Sequence, residues 1–284
     1  MFLHGSRIVG QPKTSFALSE IKDAETDRDF NRRARSSAGR GQNREVSVAS
    51  RIQSDNSSRR GRAVSVRDVL LPPLGLAGAV RLPSDSYGLV VFAHGSGSSR
   101  FSPRNAAVAA ALNDAGFGTL LFDLLMPDEE IDRRNVFDIG LLADRLIDAI
   151  HWIDENAALS GLPLGLFGAS TGAAAALVAA ARLGDRVEAV VSRGGRPDLA
   201  DAALELVRAP TLLIVGGDDD VVLELNQQAL AKLKAPKALQ IVPGATHLFP
   251  EPGALEAVIE HATRWFLVHL GHRVEPPSFG ARPV

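Results

Sequence analysis

The sequence predicts an α/β protein in which a mostly parallel sheet of eight strands is covered on both faces by helices. Three observations carry that expectation. From Gly88 onward, short apolar runs alternate with longer segments of helical period, the pattern of strands joined by crossover helices. Glycine, proline and aspartate punctuate the ends of those runs. The residues that carry chemistry (His94, Ser170, Arg193, Asp219 and His247) all fall just after apolar runs. In a sheet with right-handed crossovers the loops after strands gather along one edge, where ligands of open α/β sheets bind.

Residues 64–71 and 76–82 read as two short strands separated by Pro72-Pro73 and Gly75, an antiparallel start. Residues 88–93 form a buried strand that runs into the loop His94-Gly95-Ser96-Gly97-Ser98-Ser99-Arg100. A helix over 103–115 ends at Gly116, and the next strand, 118–122, is closed by Asp123. After a polar loop, residues 137–156 form an amphipathic helix, with Ile139, Leu142, Leu146, Ile150 and Ile153 at helical spacing. Residues 162–167 are the strand that enters the turn at Ser170, and an alanine-rich helix follows it. Strands are then expected over 187–191, 211–215 and 238–242, and helices over 222–233 and 255–270. Between 191 and 211 there is room for one short helix at most, so no large lid is expected. Loops 98–104 and 124–136 are expected to wall the pocket.

Charge divides the chain of 284 residues unevenly. Residues 1–62 hold 13 Lys/Arg against 7 Asp/Glu, whereas residues 63–284 hold 18 against 26. The head shows no sustained period and is rich in Arg, Ser, Gly, Asn and Gln, a composition that cannot bury enough apolar surface to offset chain entropy. It is expected to be a disordered basic extension (1–62) ahead of one α/β domain (63–274) and a short tail (275–284). Its acids and lack of interleaved aromatics argue against a nucleic-acid partner. No apolar run approaches the roughly 20 residues of a membrane span, and no apolar stretch follows the start as in a secretory signal. With no cysteine there is neither a disulfide nor a thiolate metal site. A cytoplasmic location is expected, with no membrane partner and no cofactor. No His-x-x-x-His or Glu-x-x-His arrangement suggests a metal, and neither a dinucleotide fingerprint nor a phosphate loop is present.

The five residues Gly168-Ala169-Ser170-Thr171-Gly172 sit between strand and helix. Such a bend strains its apex residue, pushes a hydroxyl out of the sheet and aims a helix N-terminus at the same spot. A serine hydroxyl is a weak nucleophile near neutral pH and needs a base within hydrogen-bond reach. His247, in a loop after the last strand, is the candidate; His94 is its rival, while His4, His151, His261, His269 and His272 lie in the head or in or beyond helices. The acid that orients the base comes from Asp218, Asp219 or Asp220, with Asp123 a possible second acid at a neighbouring strand end. Arg193 and Arg196 flank Gly194-Gly195 at the same edge and are candidates to clamp a substrate carboxylate, or else to pair with Asp198 or Asp201.

The order Ser, Asp, His, each after a strand, resembles that of the α/β-hydrolases over about 64–270. Phe92-Ala93-His94-Gly95-Ser96-Gly97, Gly168-Ala169-Ser170-Thr171-Gly172, Gly216-Gly217-Asp218-Asp219-Asp220-Val221-Val222 and Gly244-Ala245-Thr246-His247 are similar to the dienelactone-hydrolase-like branch. The resemblance implies the α/β-hydrolase fold, with the nucleophile after the fifth strand, the acid after the seventh and the histidine after the eighth. Its spacing selects Asp219 as the acid and makes His94 a structural residue of the oxyanion loop. It implies oxyanion donors at the backbone N–H of Thr171 and of Ser96. Dienelactone hydrolases proper use a cysteine nucleophile, and this chain has none, so a serine esterase acting on a small ester or thioester is expected. Two alternatives share the fold. One is a non-catalytic module serving a partner protein, since related domains are found fused to phosphoribosyltransferases. The other is a cofactor-free perhydrolase using the same three residues.

Overall fold

The computed structural model describes residues 63–271; the expected basic extension 1–62 and tail 275–284 lie outside them. The described chain begins with an antiparallel hairpin, β1 (Val64–Leu71) and β2 (Leu76–Pro83). It continues as β3 (Leu89–Ala93), α1 (Pro103–Asp114), β4 (Gly118–Phe122), α2 (Ile139–Glu155), β5 (Leu164–Ala169) and α3 (Thr171–Leu183). The remainder is β6 (Ala189–Arg193), a 3-10 segment (Pro197–Leu206), β7 (Thr211–Gly216), α4 (Asp220–Lys232), β8 (Lys237–Val242) and α5 (Ala254–Leu270). All eight strands join one sheet in the order β1-β2-β4-β3-β5-β6-β7-β8. The pairs β1/β2 and β2/β4 are antiparallel and the others parallel.

Helix ends follow local chemistry. Ser102 caps α1 by accepting from the Asn105 N–H, with Pro103 at the first helical position. Asp138 caps α2 through the Leu141 N–H at 2.9 Å, which starts that helix at Ile139, two residues later than the expected 137. The apolar stripe of α2 (Leu142, Leu146, Ile150 and Ile153) packs in the cluster on one sheet face, with buried residues of α3 and α4. The opposite face carries α1 and α5, where Phe92, Phe117, Phe167 and Phe266 are buried. Helix α3 is buried nearly all round, because it lies against the sheet, α2 and the 3-10 segment; alanine keeps it thin enough to fit.

One feature differs from the sequence reading in a way that matters for function. Strand β6 runs two residues further, pairing Ser192 with Gly168 and Arg193 with Ala169. Arg193 is therefore a buried strand residue and not part of a loop. The short helix between β6 and β7 is 3-10, and the interval holds no larger insertion. Strand order reverses at β3, whose successors β4 and β5 lie on its two sides. In open α/β sheets the crevice at such a reversal is where ligands bind. The loops after β3 and β5, carrying His94-Gly95-Ser96 and Ser170, meet there.

Candidate active site

Ser170 leaves β5 with φ 49° and ψ −123°, a region costly for any residue with a Cβ. Its flanking glycines are required by contact as well as by the bend. A Cβ on Gly168 would lie 2.4 Å from Ala173 Cα, and one on Gly172 would lie 2.4 Å from the carbonyl oxygens of Ala93 and His94. The first turn of α3 is thus pressed against the end of β3, and the loop after β3 is brought beside the serine.

The side chain of Asp219 stands at the N-cap position of α4 but does not bond that helix. It turns instead to His247, whose Nδ1 lies 2.7 Å from Asp219 Oδ2. An ionised carboxylate only accepts hydrogen bonds, so Nδ1 carries the proton and Nε2 is left as an acceptor. Nε2 lies 3.3 Å from Ser170 Oγ, near the long end of hydrogen-bond distance. The histidine and aspartate side chains are 17% and 12% exposed, so the pair is largely desolvated while the histidine remains within reach of the cleft. The structure therefore brings Ser170, His247 and Asp219 into one hydrogen-bonded row. Asp218 is held elsewhere through its backbone, N–H to Ala245 O at 2.9 Å. The loop carrying His247 is buttressed by Glu251, whose carboxylate accepts from Thr246 Oγ1 at 2.6 Å and from the Thr246 N–H at 3.1 Å. The Thr246 hydroxyl holds the Glu251 carboxyl below its usual range.

His94 has both ring nitrogens engaged. Nε2 accepts the Leu124 N–H at 3.1 Å, which places the ring proton on Nδ1, 3.0 Å from Gly95 O. The ring ties the loop after β3 to the loop after β4. Asp123 is tied to Arg100, accepting its backbone N–H at 2.7 Å and pairing with its guanidinium.

Three expectations need revision. The Ser96 N–H, expected to face a substrate oxyanion, donates to Thr171 Oγ1 at 2.9 Å, a buried hydroxyl where the two loops meet. The Arg196 guanidinium forks onto Asp198 through two bonds of 2.8 Å, the pairing that the sequence also allowed. The Arg193 guanidinium donates to Asn105 at 3.3 Å and lies 5.9 Å from the Phe249 ring centroid. It packs on the α1 and α5 side of the sheet, because residue 193 still follows the strand's alternation. The sequence reading missed Asn226, Phe249 and Glu251. Asn226 is fully buried on α4 and donates to Gly195 O at 3.0 Å and to Val222 O at 2.7 Å. Phe249 is a buried residue with φ 56° two places after the histidine.

The profile of the dienelactone hydrolase family matches residues 77–266. The chain belongs to the dienelactone hydrolase family. Within that family, a crystallised dienelactone hydrolase from Anabaena variabilis is 52% identical, with a TM-score of 0.70; the match covers 73% of this chain and 98% of that one. Two Mycobacterium tuberculosis proteins, provisionally named phosphoribosyl transferases, are 60% identical over 202 residues. Those residues are 71% of this chain but 46% of each relative, so the chain spans about half the length of the curated relatives it matches. An alpha-beta serine hydrolase homologue from Coxiella burnetii shares the fold at 20% identity, with a TM-score of 0.60 and cover of 70% of this chain and 96% of that one. The family match and the dienelactone hydrolase of Anabaena variabilis support a hydrolase. Among the described residues no helix is long and apolar enough to cross a membrane.

Proposed function

We propose that this hydrolase cleaves a carboxylic ester or thioester through an acyl-enzyme on Ser170, with His247 as general base and Asp219 as its orienting acid. The observation that carries the reading is the unbroken row from Asp219 through His247 to Ser170. Ser170 Oγ attacks the carbonyl carbon as its proton passes to His247 Nε2. The tetrahedral adduct collapses, and the leaving alcohol or thiol departs with that proton. Water then repeats the sequence on the acyl-serine and releases the acid. Asp219 stabilises the imidazolium and keeps the ring in the tautomer that accepts from serine. The oxyanion is met by the Thr171 N–H at the start of α3; such a donor contributes about 2.7–4 kcal/mol to the transition state.

The test is labelling of the full chain with a fluorophosphonate probe, wild type beside Ser170→Ala, followed by hydrolysis of p-nitrophenyl esters of increasing acyl length. The expected result is labelling and turnover that vanish in the variant. Equal labelling of both proteins would move the nucleophile elsewhere. A second reading is favoured by the length of the mycobacterial relatives, more than half of which lies outside the match. It makes the domain a module serving a phosphoribosyl transferase. A folded wild type that is neither labelled nor active on any ester of the series would favour it.

A further inference from the structure

We propose that Asn226 is a positioning residue that holds the strained serine turn in its attacking geometry, acting through residues 193–196. The proposal rests on the reading of Ser170 as nucleophile. A non-glycine residue at φ 49° persists only where its surroundings over-determine it. Here the backbone of Ser170 is gripped on both sides. Its N–H donates to Arg193 O at 3.3 Å, and its carbonyl accepts from the Arg196 N–H and the Ala173 N–H, each at 3.1 Å. Residues 193–196 therefore act as a bracket on the nucleophile, and the grip is only as firm as the bracket.

The bracket leaves the regular sheet as soon as it forms. Gly194 takes φ 51°, with its N–H still donating to Ile214 O at 2.8 Å, and a Cβ there would lie 2.9 Å from His247 O. Gly195 is wedged between β6 and α3: a Cβ on it would lie 2.0 Å from Ser192 Oγ and 2.6 Å from Ala173 Cβ. The carbonyl of Gly195 is satisfied by Asn226 Nδ2 at 3.0 Å, and the same nitrogen donates to Val222 O at 2.7 Å. Two carbonyl partners fix which end of the amide faces the bracket, since an amide oxygen there would meet only acceptors. Asn226 has no exposed surface, so its bond is not exchanged with water. It lies two turns along the helix whose N-cap is Asp219, so the two residues share a side of α4. One helix thus places the acceptor of the histidine at its start and the anchor of the serine's bracket in its body.

Asn226→Leu keeps the volume but removes the donor; Asn226→Asp keeps the shape and donates only when protonated. With the full chain and p-nitrophenyl acetate, Asn226→Leu is expected to lower kcat about 10- to 100-fold, the scale of a small misplacement far from the chemistry. KM is expected to stay within about twofold, because no substrate contact is touched. Hydrogen exchange should quicken in residues 168–173 and 192–197 while β3 and β7 stay protected. The ratio of Asn226→Asp to wild-type kcat should rise as pH is lowered from about 8 to about 5, as the carboxylate that faces two carbonyls gains a proton; the Asn226→Leu ratio should stay flat. If Asn226→Leu does not fold, the Asp variant alone carries the test. Unchanged exchange across 192–197, wild-type kcat in the Leu variant, or a flat ratio for the Asp variant would each overturn the proposal. Exchange is read without any chemistry at Ser170, so it decides the role of Asn226 even where the labelling of Ser170 fails.

Discussion

Asp219 shows how little of its environment a residue needs to share with its neighbours to take a distinct part. Asp218, Asp219 and Asp220 are alike in type, yet it is Asp219 whose carboxylate lies 2.7 Å from His247 Nδ1. Asp219→Asn should keep the fold and lower kcat by about 10⁴-fold, because an amide can present its N–H to Nδ1 and reverse the ring tautomer. Steady-state kinetics beside a melting curve check this, and an unchanged kcat would remove Asp219 from the reaction. Ser170 and His247 were legible in the sequence because a bend flanked by two glycines and a histidine after the last strand are local signals. Asn226 was not, since an asparagine within a helical period looks like a surface residue until Gly195, 31 positions away, is folded against it. Nor was the bond from the Ser96 N–H to the Thr171 hydroxyl, which joins two loops 75 positions apart.

At the scale of elements, the tight approach of α3 to β3 governs whether the serine turn can form at all. Gly172→Ala would drive a methyl group into the carbonyl oxygens of Ala93 and His94, backbone atoms that cannot rotate away. The cost should reach or exceed about 3 kcal/mol, the upper part of the range for overpacking. Chemical denaturation measures it; a loss well below that would mean that the helix can slide away from the strand. Most elements were legible, because strand length, helical period and caps such as Asp138 are written within each segment. The exit of β6 was not. Its last two residues, Ser192 and Arg193, look like the polar start of a loop, and parallel pairing with Gly168 and Ala169 extends the strand over them. That extension turned Arg193 from a candidate substrate clamp into a buried residue beside Phe249.

At the scale of the molecule, all eight strands of the described residues lie after residue 62, since β1 starts at Val64, and the family match starts at residue 77. Removing residues 1–62 should leave kcat/KM and Tm nearly unchanged, and a large loss of either would show that the extension supports the domain. The architecture was legible because alternating strands and helices admit few topologies. The hairpin edge was less so: Val64, Val66 and Leu70 are apolar yet exposed on β1, which apolar patterning alone would have turned inward. The sheet order also has a consequence in time. Ser170 and His247 stand 77 positions apart, and the histidine follows β8, the strand at the far edge of the sheet. A growing chain can therefore build the serine turn on β3, β5 and β6 well before it owns a base. Partly synthesised or partly refolded molecules would carry a serine without its histidine, and the return of the proposed ester hydrolysis would serve as a clock for the docking of the last strand.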